Sequence, residues 1–207
     1  MRQPRATDGS GRGRPRSKLA EQSILEATTH LLEEKGFKAL TIEDVAVRAG
    51  VGKATIYRWW QSKGTLAFDA FSAQFLARQP LPDTGTLRGD FLAALRGWIR
   101  SVKGTPTGQT LVELIAEVQR DPALAAVWRD RFIGPVRDHH RVMIQRAIKR
   151  GEIPASTNAE VALDLLFGPA YHRLLQTHLP LTDRFARDVV DVVVAGLVVS
   201  VQGLPRA

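Results

Sequence analysis

The chain contains no cysteine in 207 residues. That excludes disulfide staples and thiolate metal ligands, and it suits a reducing compartment such as the cytoplasm. Long apolar runs are scarce too. The longest, Val189 to Val201, is interrupted by Asp191, Gly196 and Ser200 and falls short of the ~20 residues a membrane-spanning helix needs. No membrane partner is therefore expected. The scattered N-terminal arginines precede no apolar stretch of secretory length, so no signal peptide is expected. Strict apolar–polar alternation is missing, which removes the usual signature of half-buried strands and leaves an all-α chain. The marks of catalysis are absent as well: there is no glycine-rich phosphate loop and no nucleophile elbow. The five histidines, His30, His139, His140, His172 and His178, form no His-Glu-x-x-His pair. Asp138-His139-His140 is the densest polar cluster, but neighbours on a helix point in different directions and do not converge on one ion. No catalytic residue, metal or cofactor is expected.

What the chain has is positive charge, and its distribution matters more than its net value of +8. Arg2, Arg5, Arg12, Arg14, Arg16 and Lys18 face a single acid, Asp8, among interleaved glycines and prolines. Residues 1–18 therefore read as a disordered basic arm. Within it, Arg12-Gly13-Arg14-Pro15 resembles the core of an AT-hook, in which an extended segment lies in a narrow A·T-rich minor groove. The competing reading is a solvated tail with only nonspecific attraction to DNA.

The window Ile42 to Gln61 carries the spacing of a helix-turn-helix. Val45, Ala46 and Ala49 share one face of a first short helix, Gly50 follows where the chain must turn, and Val51 and Ile56 face back from a second. Two helices crossing steeply leave no room for a large side chain at Ala46, and glycine takes positive φ at the turn without steric penalty. Thr41 is placed to cap the first helix, with Asp44 three positions on as a capping-box variant. The outward side of the second helix presents Gly52, Lys53, Ala54, Thr55, Tyr57 and Arg58. Short residues let such a helix approach double-stranded DNA, and Lys53, Tyr57 and Arg58 reach base edges or phosphates. Lys63 and the Thr41 end are expected to hold phosphates.

Around that window stand Gly36-Phe37 before it and Tyr57-Arg58-Trp59-Trp60-Gln61-Ser62-Lys63 after it. Here the chain resembles the TetR family of bacterial transcriptional repressors over roughly residues 20–66. It departs at Gly52, where a serine cap is usual, and at Trp59-Trp60, where His-Phe is commoner. Trp60 keeps an aromatic at the core position; Trp59 is open between an inward apolar position and a contact to the DNA backbone. The resemblance implies an N-terminal three-helix head, residues 19–63, followed by a helical effector-binding and dimerisation domain, residues 64–207, with about nine helices in all and the last two pairing with a mate as a four-helix bundle. It also implies a repressor released from a palindromic operator by a small hydrophobic ligand. A DNA-packaging protein without regulation, or an enzyme, is the alternative.

Beyond the window, helices are expected over 19–35, ended by Gly36; from Ser62 or Lys63 onward; over 86–103 and 107–120; over 121–150 with a break near Gly134-Pro135; over 159–178 with Thr157 and Glu160 as a capping box; and over 183–201. The final helix is apolar almost all round and must be covered on several sides, which calls for a partner chain. Leu163, Phe167, Ala170 and Tyr171, with Val190, Val193, Val194 and Leu197, are the expected homodimer interface. Trp98, Leu114, Val118, Trp128, Phe132, Phe167, Tyr171 and His172 are the candidates for an apolar ligand cavity; the same aromatic residues at helical spacing also fit a plain core.

Overall fold

The computed structural model describes residues 18–199; the basic arm, with Arg12 and Arg14, lies outside the described residues, as do residues 200–207. The described chain is helical throughout: α1 (Lys18–Ala39), α2 (Ile42–Ala49), α3 (Lys53–Tyr57), α4 (Lys63–Ala77), α5 (Leu87–Val102), α6 (Pro106–Val118), α7 (Pro122–Trp128), a π-helical turn (Arg129–Ile133), α8 (Gly134–Lys149), α9 (Ala159–Gln176) and α10 (Asp183–Val199). Counted as one rod, α7, the π turn and α8 bring the number to the nine expected. Among the described residues no strand occurs, and no helix is long and apolar enough to cross a membrane.

Side-chain caps set most helix starts. Thr41, Ser62, Thr86, Thr105, Asp121 and Asn158 each accept a backbone N–H of the first turn, a bond worth about 1 kcal/mol per cap. Pro106 and Pro122 follow their caps directly, where a missing N–H costs nothing. One expectation needs correction. α9 is capped by Asn158, whose Oδ1 accepts from Glu160 and Val161, so Thr157 and Glu160 form no capping box; two short polar side chains in a row left the register open. The first helical run is broken at Gly36, as the glycine implies. The glycine sits at φ 74, ψ 175 and the helix resumes to Ala39, because the segment beyond is buried through Phe37 and Leu40. The break expected near Gly134-Pro135 is present as a π-helical turn, Arg129–Ile133, directly before it. Proline has no N–H and its ring crowds the carbonyl four residues back. The chain widens into the π turn ahead of it, with the Gly134 N–H donating to the Arg129 carbonyl.

Two aromatic clusters hold the body. Trp128 and Phe132 stack at 4.2 Å, and Phe132 meets Phe71 and Phe75 of α4 at 5.3 and 5.4 Å. Trp98 of α5 packs at 4.8 Å on Tyr171 of α9. Each such fully buried ring stabilises the fold by roughly 1.5–3 kcal/mol. The head, α1 to α3, closes over Ile24, Leu31, Val45, Ile56 and Trp60. It joins the body through α4, where the Trp60 indole donates to Asp69 at 2.7 Å, and through α1, which packs on α6 as well as on α2 and α4.

Candidate nucleic-acid interface and ligand cavity

The turn after α2 is built as its residues require. Gly50 is left-handed (φ 65, ψ 33), its N–H reaches the Val47 carbonyl at 3.3 Å, and the Val51 N–H reaches the Ala46 carbonyl at 3.0 Å. Thr41 Oγ1 accepts from the Asp44 amide at 3.1 Å and donates back to the Asp44 carboxylate at 2.5 Å, which is the capping-box variant the spacing implies. Gly52 begins α3 without a side-chain cap. Two ion pairs brace α2 on α1: Arg48 with Glu34 at 2.8 Å, and Lys35 with Asp44.

On α3, Lys53, Ala54, Tyr57 and Arg58 are exposed while Thr55 is half-buried. The short helix thus offers a polar outer edge with Ile56 fully buried beneath it. Lys53 Nζ bonds Glu43 at 2.7 Å; that hydrogen bond raises the ammonium pKa and lowers the carboxylate pKa. Both groups are solvated, so the pair holds Lys53 weakly and a phosphate would compete with Glu43. Trp59 is half-buried, stacks on Trp60 at 5.9 Å and packs against the core, which favours its inward reading.

The Lys63 ammonium donates to the carbonyls of Phe37 (3.1 Å) and Lys38 (3.4 Å) and lies 4.5 Å over the Phe37 ring. Those bonds close the end of α1 and give Lys63 a structural role in the head. Phe37 is held from the other side by a residue the sequence did not single out: its N–H donates to Glu113 of α6 at 2.6 Å. One turn earlier, Thr110 Oγ1 donates to the Leu32 carbonyl at 3.4 Å. Gly36 admits this contact, since a Cβ there would lie 2.8 Å from the Glu113 carboxylate. The head therefore meets α6 at Phe37 and Leu32, and Phe37 is gripped at both ends, its N–H by Glu113 of α6 and its C=O by Lys63 of α4.

Among the cavities of the body, two meet at His140. The larger, about 750 Å³, is bounded by the end of α4, the loop through Pro80 and Pro82, α5 and the start of α6, and Glu33 of α1 reaches its wall. The smaller, about 270 Å³, lies between α8 and α9 against Val136, Leu163, Phe167 and Tyr171. His140 lines both. Of the expected ligand contacts, Phe167 and Tyr171 line the smaller cavity. Trp98, Leu114, Val118, Trp128 and Phe132 are sealed in the core and line neither, a correction that follows from helical spacing marking any buried face. His172 is exposed against His178. Asp138-His139-His140 splits as adjacency demands: Asp138 pairs with Arg141, His139 Nε2 lies 3.0 Å from the Gln79 carbonyl, and His140 turns inward.

The expected dimer residues need a similar correction. Leu163, Ala170, Val190 and Val193 are buried within the single chain, while Phe167, Tyr171, Val194 and Leu197 are half-buried. Among the described residues of these two helices, the large apolar side chains left in solvent are Val161, Leu165 and Leu175 on α9 and Val192, at 74 % exposure, and Val198 on α10. Both helices have two apolar faces, and periodicity does not say which one the chain's own α5 and α8 cover.

Comparison with known proteins agrees with this geometry. Residues 24–70 match the model of bacterial regulatory proteins of the tetR family, and residues 81–193 match that of the tetracyclin repressor-like C-terminal domain. The chain is 38 % identical over 181 residues to an uncharacterised HTH-type transcriptional regulator, YdeS, of Bacillus subtilis, covering 87 % of this chain and 91 % of that one. It is 30 % identical to a DNA-binding transcriptional repressor, TetR, of Mycobacteroides abscessus, covering 88 % and 96 %. The crystal structure of the TetR family transcription regulator SCO0332 superposes with a TM-score of 0.81 at 35 % identity, covering 86 % of this chain and 98 % of that one.

Proposed function

The chain belongs to the TetR family of bacterial transcriptional regulators, and from that premise we propose that it is a repressor that binds a palindromic operator as a homodimer and leaves it when a small molecule fills the body. With the family shown, the enzyme reading falls, because the relatives and both family models are regulators. The observation that carries the proposal is the outer edge of α3, with Lys53, Ala54, Tyr57 and Arg58 exposed above a buried Ile56. Arg58 and Tyr57 read bases, Lys53 exchanges Glu43 for phosphate or base, and Thr41 at the start of α2 meets the backbone. Repression agrees with the relative from Mycobacteroides abscessus that is named a repressor.

Pairing supplies the second half of the reading. The apolar stripe of Val161, Leu165, Leu175 and Val192 is covered by the same stripe of a second chain, an isologous contact. The two copies of α3 then meet major grooves one turn, about 34–36 Å, apart or a multiple of it. Ligand in the body shifts α6, and Glu113 carries the shift to Phe37 and the head. A ligand acts in this way only by binding the DNA-incompetent arrangement more tightly. The test is fluorescence anisotropy on the DNA upstream of the gene against random duplex at fixed salt, with a promoter reporter. Specific binding and rising transcription on deletion are expected; equal affinity for random DNA would indicate packaging instead.

A further inference from the structure

We propose that the cavities read a neutral, flat, largely apolar effector through a hydrogen bond that the effector itself donates, from a hydroxyl or N–H group, to Nε2 of His140. This rests on the reading that the cavities hold the effector. His140 is only 3 % exposed, yet it forms part of the wall of both cavities. Its Nδ1 lies 2.8 Å from the carbonyl of Val136, one turn back on α8. A carbonyl oxygen only accepts, so Nδ1 carries the hydrogen. Burial pushes the imidazole pKa down to about 4, so near neutral pH the ring holds no second proton and Nε2 presents a bare lone pair.

That lone pair has no partner in the protein. Among the described residues the sealed polar side-chain atom lacking a hydrogen bond is Asp90 Oδ2, so Nε2 is not sealed: its open side meets the cavity. The ring is held in place by the Val136 bond and by Phe167, whose centroid is 4.8 Å away. The surroundings exclude ions at this end. A carboxylate would bring its own lone pairs against Nε2 in an apolar wall, without compensation for lost water. On the wall of the smaller cavity the guanidinium, Arg137, is already bound to Glu160 and Asp164 at 2.5 and 2.7 Å; the charged side chains Glu33, Arg78 and Arg100 lie on the larger cavity. Phe167 and Tyr171 offer faces on which a flat ring stacks.

Three naphthalenes separate the possibilities by calorimetry on the intact protein: 2-naphthol, which donates; 2-methoxynaphthalene, which does not; and 2-naphthoate, which is charged. Naphthol is expected to bind about tenfold more tightly than the ether, the worth of one buried hydrogen bond, with naphthoate weaker still. His140→Phe should erase the preference for naphthol, and His140→Gln, which keeps an accepting oxygen, should retain part of it. Equal affinity of naphthol and ether for the unaltered protein overturns the donor rule while leaving the cavity reading standing. Binding of none of the three overturns both. A preference for naphthol that survives in both variants overturns the assignment to His140; the glutamine variant decides this even if the phenylalanine variant does not fold.

Discussion

The head and the body of this protein bury their residues by the same physics but expose different things. In the head, function sits on the outside of one short helix: five residues, Lys53–Tyr57, turned outward by the three residues Gly50 to Gly52. In the body, the features that matter are interior. The cavity walls combine side chains from α1, α5, α6, α8 and α9, and a bridge from α6 to the head runs through Glu113 and Phe37. A reading surface is set by local chain geometry, whereas a sensing cavity is set by how distant helices stack. The two regions should therefore respond differently to substitution.

The largest contrast is expected within α10. Val192→Glu should leave the thermal midpoint of the protomer unchanged while abolishing dimers by sedimentation and lowering operator affinity about 100-fold or more, because two linked half-site contacts become one. Val193→Glu, one residue on and buried, should instead unfold the protein by about 3 kcal/mol or more, since it buries an unpaired charge. If both variants stayed folded dimers, the pairing face would lie elsewhere.

In the head, Arg58→Ala should cost about 1–3 kcal/mol of operator binding if the guanidinium pairs with a guanine, with no change in folding stability. Lys63→Ala should do the reverse. Its bonds to the carbonyls of Phe37 and Lys38 make it part of the head's structure, so the thermal midpoint falls while the salt slope of DNA binding stays the same. A flattened slope for Lys63→Ala would return that residue to the phosphate backbone.

At the bridge, Glu113→Ala removes the acceptor of the Phe37 N–H. A loss of about 1–2 kcal/mol in stability is expected, together with operator binding that responds less to ligand. An unchanged ligand response would place the coupling in α4 alone. A further expected effect is on pH. His140 binds a proton at its ordinary 6.5 when unfolded but only near 4 when folded, so from pH 6.5 down to 4 the unfolded chain holds the extra proton. Stability is fully present above pH 6.5 and falls by up to about 1.4 kcal/mol per pH unit below it. His140→Gln should flatten that part of a urea-denaturation profile.

The same contrast explains what could be read from the chain itself. Gly50, Ala46 and Thr41 specify the turn, the close crossing and the cap within a few residues of one another, so the helix-turn-helix was legible. So were most helix starts, where Thr86, Asp121-Pro122 and Ser62 signal locally. Glu113 was not, because the atom it serves is 76 residues away in sequence and only the packing of α6 on α1 brings them together. His140 was set aside as part of a polar cluster; its burial depends on how α8 meets α9, which no local spacing encodes. Which apolar positions of α10 stay in solvent was equally hidden: Val192 and Val193 are alike as residues, yet Val192 is exposed and Val193 buried within the chain.

Reader and sensor are one device only if ligand and operator oppose each other. The direct measurement is the affinity of a compound that fills the His140 cavity, with and without saturating operator. Binding weakened by operator, by the same factor by which the compound weakens operator binding, is expected from linkage, typically about 5- to 150-fold. Equal affinity in both conditions would contradict the coupling through α6 and Phe37.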